Sequence, residues 1–122
     1  MTGGSGEAAI AAAAAAQLLL HLGLPSTASA GMTDAKTPDA QAGYEKGYTV
    51  ALAAHAGADM INLSVGMLGS IMAASREALV IDDDMCGAIL RSVRGVEMTD
   101  TAIDLDRIEA VAIGEGHYLG EA

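Results

Sequence analysis

The chain has 122 residues and a formal net charge of −10 at pH 7, a negative field that repels phosphate backbones and anionic head groups and so sets nucleic acid and membrane surfaces aside as partners. Its 52% apolar content rests largely on alanine, with no Trp or Phe and only Tyr44, Tyr48 and Tyr118 among the aromatics. Side chains this small remove little area from water, so a marginal core is expected.

Ala8 to Leu24 is apolar apart from Gln17 and His21 and predicts a buried helix. An export signal is the first alternative, since Ala28-Ser29-Ala30 imitates a cleavage site, but no Lys or Arg precedes the segment and Glu7 does. A membrane span is the second, and Gln17 and His21 interrupt a stretch already short of about 20 residues. The single cysteine, Cys86, excludes an internal disulfide and fits a reducing, cytoplasmic compartment.

After that helix the clearest organisation is internal. Gly23 to Met32 and Gly57 to Met67 share one grammar: a helix-ending glycine, a turn residue, a short strand, then Gly-Met. A spacing of roughly 30 residues or more is that of a β-helix-β unit with parallel strands, so the fold class is α/β. Between the copies Pro38 to Ala56 predicts a helix, with Thr37 or Pro38 at its start, Asp39 in its first turn and Val50, Ala51, Ala54 and Ala58 on its apolar face. In the second strand Ile61, Leu63 and Val65 point one way and Met60, Asn62 and Ser64 the other. Parallel strands are usually covered on both faces, so Asn62 and Ser64 need hydrogen-bond partners or a ligand. Further helices are expected over Gly69 to Ala78, over Asp83 to Arg94 with Asp82 or Asp83 as cap, and over Asp104 to Ala112, with Val96 to Thr101 as a connection.

Ligands of parallel α/β sheets sit beyond the carboxyl ends of the strands, here Gly31 to Thr37 and Gly66 to Ser70. Asp34, Lys36, Asp39 and Gln41 gather on the first of these loops, either as the rim of a ligand pocket or as a solvated loop with a helix cap and a local ion pair. Asp82-Asp83-Asp84 is expected to be a solvated capping turn, since consecutive residues entering a helix do not converge on one ion. His21 and His55 are expected on helix surfaces or in the core, and Cys86 as a buried structural thiol. His117 lies among glycines that let backbone approach a ligand. No phosphate loop, nucleophile elbow or zinc pattern is present.

The runs "GMTDAKTPDAQAGYEKGYTVALAAHAGADMINLSVGMLGS", "SREALVIDDDMCGAILRSVRGVEMTD" and "AIDLDRIEAVAIGEGHYLG", with "GSGEAAIAAAAAAQLLLHLGLPS" before them, resemble the C-terminal part of the trimethylamine methyltransferase family. The resemblance implies a partial (β/α)8 TIM-type barrel: about two βα units with parallel strands plus C-terminal helices, residues 1–122 forming a fragment of a single domain. It further implies methyl transfer from trimethylamine or a related methylated, often quaternary, amine to the Co(I) of a corrinoid. That cofactor would not be bound directly but carried by a partner corrinoid protein. Asp34, Asn62, Ser64, Glu77 and His117 match motif positions at or near the strand ends and are the candidate substrate-binding residues. Catalytic residues remain unassigned and no metal ligand is expected.

Family members are several times longer, so the isolated chain is expected to lack turnover, and Met1 is expected to mark a frame opened after an amber (pyrrolysine) codon or at a contig edge. The competing readings are a small acidic α/β ligand-binding protein that forms a homo-oligomer through its sheet edge, and the remnant of a decayed gene.

Overall fold

The computed structural model describes residues 2–99, 102 and 105–111. Helix α1 (Gly6–His21) starts where the Ser5 hydroxyl accepts from the Ala8 amide, and it ends at Gly23. There a φ of +67° and a 2.9 Å bond from Leu24 N to Leu19 O close the last turn, which needs a residue without a Cβ. Strand β1 (Thr27–Ala30) follows, then helix α2 (Ala40–His55), strand β2 (Met60–Leu63), a short hairpin of β3 (Met67–Leu68) and β4 (Ala73–Ala74), the long helix α3 (Arg76–Arg94), and α4 (Leu105–Ala110).

The expected parallel pairing is present: β1 lies beside β2 with Thr27 opposite Met60 and Ala30 opposite Leu63. At the amino ends a reciprocal clamp sets the register. The Asp59 carboxylate accepts from Ser26 N at 2.8 Å and from Ser26 Oγ at 3.0 Å, and the same hydroxyl accepts from Asp59 N at 3.1 Å. Ala28 and Ala30 point inward against Val50 and Ala53 of α2, with Ile61, Leu63, Met85 and Ile89 around them. Thr27, Ser29, Met60 and Asn62 form the opposite, exposed face, as a period of two requires. Of the buried hydrophobic residues described, only Val50 and Leu68 are larger than alanine. Elements therefore approach closely but bury little area.

Two helix expectations are corrected. Gly69 to Ser75 is not helical and only Arg76–Ala78 of the expected span are, as the start of α3: β3 and β4 pair antiparallel, Met67 opposite Ala74 and Leu68 opposite Ala73. The turn between them carries positive φ at Gly69, Ser70 and Ile71, which no right-handed helix allows. Ser75 then caps α3, its hydroxyl accepting from Ala78 N at 3.1 Å. The second correction concerns Asp82-Asp83-Asp84, which lie inside α3 rather than in a solvated capping turn. Ala78, Asp82, Met85 and Ile89 recur at helical spacing on one face, so the inward stripe runs through the acidic triplet without a break. Asp82 is buried on that stripe.

Asp39, expected in the first turn of α2, is its N-cap, the carboxylate accepting from Ala42 N at 3.1 Å. Val96 to Thr99 carry neither helix nor strand, as a connection should. Of the last expected helix, α4 covers Leu105–Ala110, while Asp104 and Ala112 lie outside the described residues. No helix among the described residues is long and apolar enough to cross a membrane.

Candidate functional site

The two loops at the carboxyl ends of β1 and β2 are bound to each other. Gly69 N donates to Ala35 O and Ser70 N to Thr33 O, each at 2.7 Å, and the Ser70 hydroxyl donates to the Asp34 carboxylate. Ser70 and Ile71 are held at φ +54° and +66°. For a β-branched residue such as Ile71 this conformation is strained by about 1–3 kcal/mol and persists only where surrounding bonds impose it.

Helix α2 holds the first loop from beneath. Glu45 is buried, and one carboxylate oxygen accepts from Thr33 Oγ1 at 2.6 Å and from Asp34 N at 2.8 Å while the other accepts from Gln41 Nε2 at 2.8 Å. Burial alone would raise its pKa, but these donors outweigh that and hold the carboxyl below its ordinary value. Thr49 Oγ1 accepts from Gly31 N at 3.1 Å, fixing the glycine that ends β1. The amino-terminal segment also reaches α2: the Tyr48 hydroxyl donates to Gly4 O, and a Cβ on Gly4 would stand 2.5 Å from Glu45 Oε2, so a larger residue there would push the carboxylate off its donors.

The second loop is held by an ion pair. Lys46 Nζ and Asp82 Oδ2 lie 2.5 Å apart with both side chains almost wholly buried. Asp82 Oδ2 also accepts from Gly66 N at 2.7 Å, and Lys46 Nζ also donates to Ser64 O at 3.3 Å. No buried side-chain polar atom among the described residues lacks a partner.

Of the residues singled out in the sequence, Asp34 stands at the junction of the two loops. The Ser70 hydroxyl, then that of Thr2, lowers its pKa, and Lys36 turns back to donate to the Asp34 carbonyl at 2.9 Å. The charge on this loop is thus internally bonded. Ser64 is half-buried at the end of β2, with its amide on Ala30 O at 3.3 Å. Asn62 lies on the exposed sheet face opposite Ser29. Glu77 is exposed in the first turn of α3, where its carboxylate accepts from Ser75 Oγ at 2.7 Å, and that bond lowers its pKa. The structure therefore joins Asp34 to the loop that follows Ser64, and gives Asn62 and Glu77 no bond to either. His117 lies outside the described residues.

His21 and His55 are exposed near helix ends, His55 beside Ser92 Oγ at 3.0 Å. Cys86 is half-buried, its thiol pKa raised chiefly by burial, and it lines an apolar groove of about 310 Å³ with Val50, Ile61, Leu63, Ile89 and Val93. Glu45 and Lys46 are not among the sequence candidates, and Asp82 was expected only as a helix cap. Their signal is positional, since Ala42, Glu45, Lys46, Thr49, Val50 and Ala53 share the inward stripe of α2, and a charge on such a stripe must find a buried partner.

A sequence model of the family described as trimethylamine methyltransferase (MTTB) matches residues 1–122. The chain is 38% identical over 116 residues to the glycine betaine methyltransferase of Desulfitobacterium hafniense strain Y51, covering 95% of this chain and 24% of that protein. It is 40% identical over 111 residues to trimethylamine methyltransferase MttB of Methanosarcina thermophila, covering 91% of this chain and 23% of that protein. The MttB of Methanosarcina barkeri is similarly related, at 40% over 111 residues, 91% of this chain and 22% of its own length. The chain thus spans about a quarter of the length of the curated relatives it matches. With the whole of it matched, it belongs to the trimethylamine methyltransferase (MTTB) family.

Proposed function

We propose that the protein carrying this chain moves a methyl group from trimethylamine, or from a quaternary amine such as glycine betaine, to the Co(I) of a corrinoid. The observation that carries this reading is the match across residues 1–122 to a family whose named relatives act on these two donors. The parallel β1-α2-β2 unit, with its linked loops at the carboxyl ends, supports placing the chain in a (β/α)8 barrel as part of one domain.

Among the described residues no three His, Cys, Asp or Glu side chains gather as a metal-binding group. As the family resemblance implies, the corrinoid is read as a co-substrate that arrives on a separate small protein. The amine leaves with the electron pair of the broken C–N bond while the methyl group passes to cobalt. This chain's residues would then bind and align the donor for in-line displacement. Asp34, kept ionised by the Ser70 and Thr2 hydroxyls, supplies a negative field toward a methylammonium group. The side-chain oxygens of Asn62 and Ser64, at the sheet face and strand end, orient it, with Glu77 and His117 completing the candidate set.

The test is methyl transfer to cob(I)alamin by the whole protein, followed by loss of Co(I) absorbance, with each donor supplied separately. Consumption with one donor is expected, and Asp34→Asn should weaken that donor's binding about tenfold. An unchanged spectrum with both donors, in protein folded by circular dichroism, overturns the reading.

A further inference from the structure

Building on the reading that the loop after β2 belongs to the site, the geometry points to Lys46 and Asp82 as positioning residues for Ser64 and Gly66. A buried ion pair is weak support for stability, because well-packed apolar side chains of similar size often serve a fold as well. This pair does something apolar side chains cannot do. One oxygen of Asp82 accepts from Lys46 Nζ at 2.5 Å and from Gly66 N at 2.7 Å, and Lys46 Nζ reaches back to Ser64 O at 3.3 Å. The backbone on both sides of Val65 is thereby gripped, by a donor at Ser64 and an acceptor at Gly66.

Among the described residues nothing else binds the Gly66 amide. Gly66 also turns at φ +72°, where a Cβ would meet Leu79 Cβ and Ser75 O, both at 3.2 Å. The chain leaves β2 at this turn and enters the β3–β4 hairpin, whose tip meets Asp34 through Ser70. Helices α2 and α3 each contribute one member of the pair, so their packing sets where the end of β2 lies. Lys46 and Asp82 act through Ser64, Gly66 and the hairpin, not on the methyl donor itself.

Amide hydrogen exchange of the 122-residue chain, read by NMR, separates this role from a plain stitch between helices. In K46M/D82L, which replaces the pair by apolar side chains, Gly66 should exchange at least about tenfold faster than in the unsubstituted chain. Ala53 and Ile89, on the two helices, should stay within about threefold of their starting rates. The unsubstituted chain should also show a through-hydrogen-bond coupling between Gly66 N and Asp82 Cγ, a measurement that needs no variant. Absence of that coupling overturns the proposal, as does a Gly66 amide that stays protected in K46M/D82L or one that loses protection by the same factor as Ala53 and Ile89. No methyl donor or cobalamin enters the measurement, so its failure leaves the proposed chemistry standing, and failure of methyl transfer leaves this result standing.

Discussion

Glu45 sits on the inward stripe of α2 and accepts from Thr33, Asp34 and Gln41. Its carboxyl is held below its ordinary pKa by those donors against the opposing effect of burial. A lowered pKa in the folded chain means that the unfolded chain binds more protons at acidic pH. The stability that Glu45 contributes is therefore complete above the unfolded carboxyl pKa, about 4.3, and is lost as pH falls through the lower folded value. Glu45→Gln should cost about 1.5–3 kcal/mol at neutral pH, the range for hydrogen bonds to a charged group. Urea titrations of both forms at a series of pH values should show that gap narrowing below pH ~4.5 and nowhere above it. A gap that stays constant down to strongly acidic pH would mean that the carboxylate's charge plays no part. At this scale the sequence singled out Asp34, and Asp34 stands where the two loops meet. It did not point to Glu45 or Lys46, because charges in a helix look solvated until the stripe they share with Ala42, Thr49, Val50 and Ala53 is traced.

The parallel pairing of β1 with β2 was legible because its signals are local: a glycine that ends each helix, a turn residue before each strand, and alternation along the second strand. The hairpin was not, because nothing near residues 69–71 demands left-handed backbone at Ser70 and Ile71. That geometry is imposed by bonds from Gly69 and Ser70 to Ala35 and Thr33, far away in sequence. Nor was α3 legible as one helix, since an Asp triplet resembles a cap unless its first member has a buried cation opposite. The Ser26–Asp59 clamp offers an element-scale test. It fixes the amino ends of both strands and touches neither the ion pair nor the site loops. Asp59→Ala removes the acceptor for two donors and should lower the stability of the chain. Amides of β1 and β2 should lose protection first, while those of α3 open only with global unfolding. Equal loss across β1, β2 and α3 would show that the clamp steadies the whole molecule rather than the strand register.

Across the whole molecule two forces oppose each other. Helix α1 turns Ile10, Leu18 and Leu20 to the surface, Leu22 and Leu24 are exposed just beyond it, and among the described residues the parallel sheet has two strands, each with an unpaired edge. Apolar surface and open edges favour association with another chain. The net charge of −10 favours separation, because two copies of the same anion repel. Salt weakens the second force and not the first: the Debye length falls from about 30 Å at ~0.01 M to about 3 Å at ~1 M. The 122-residue chain should therefore be monomeric in dilute buffer and gain mass as sodium chloride is raised, with light scattering after gel filtration as the measurement. Replacing Leu20 and Leu24 by glutamate lowers the apolar area and adds charge, so the double variant should stay monomeric to higher salt. If mass is independent of salt in both forms, the exposed leucines do not drive association. If it rises equally in both, the sheet edge and not α1 is the adhesive surface, since the edge is unchanged by these substitutions.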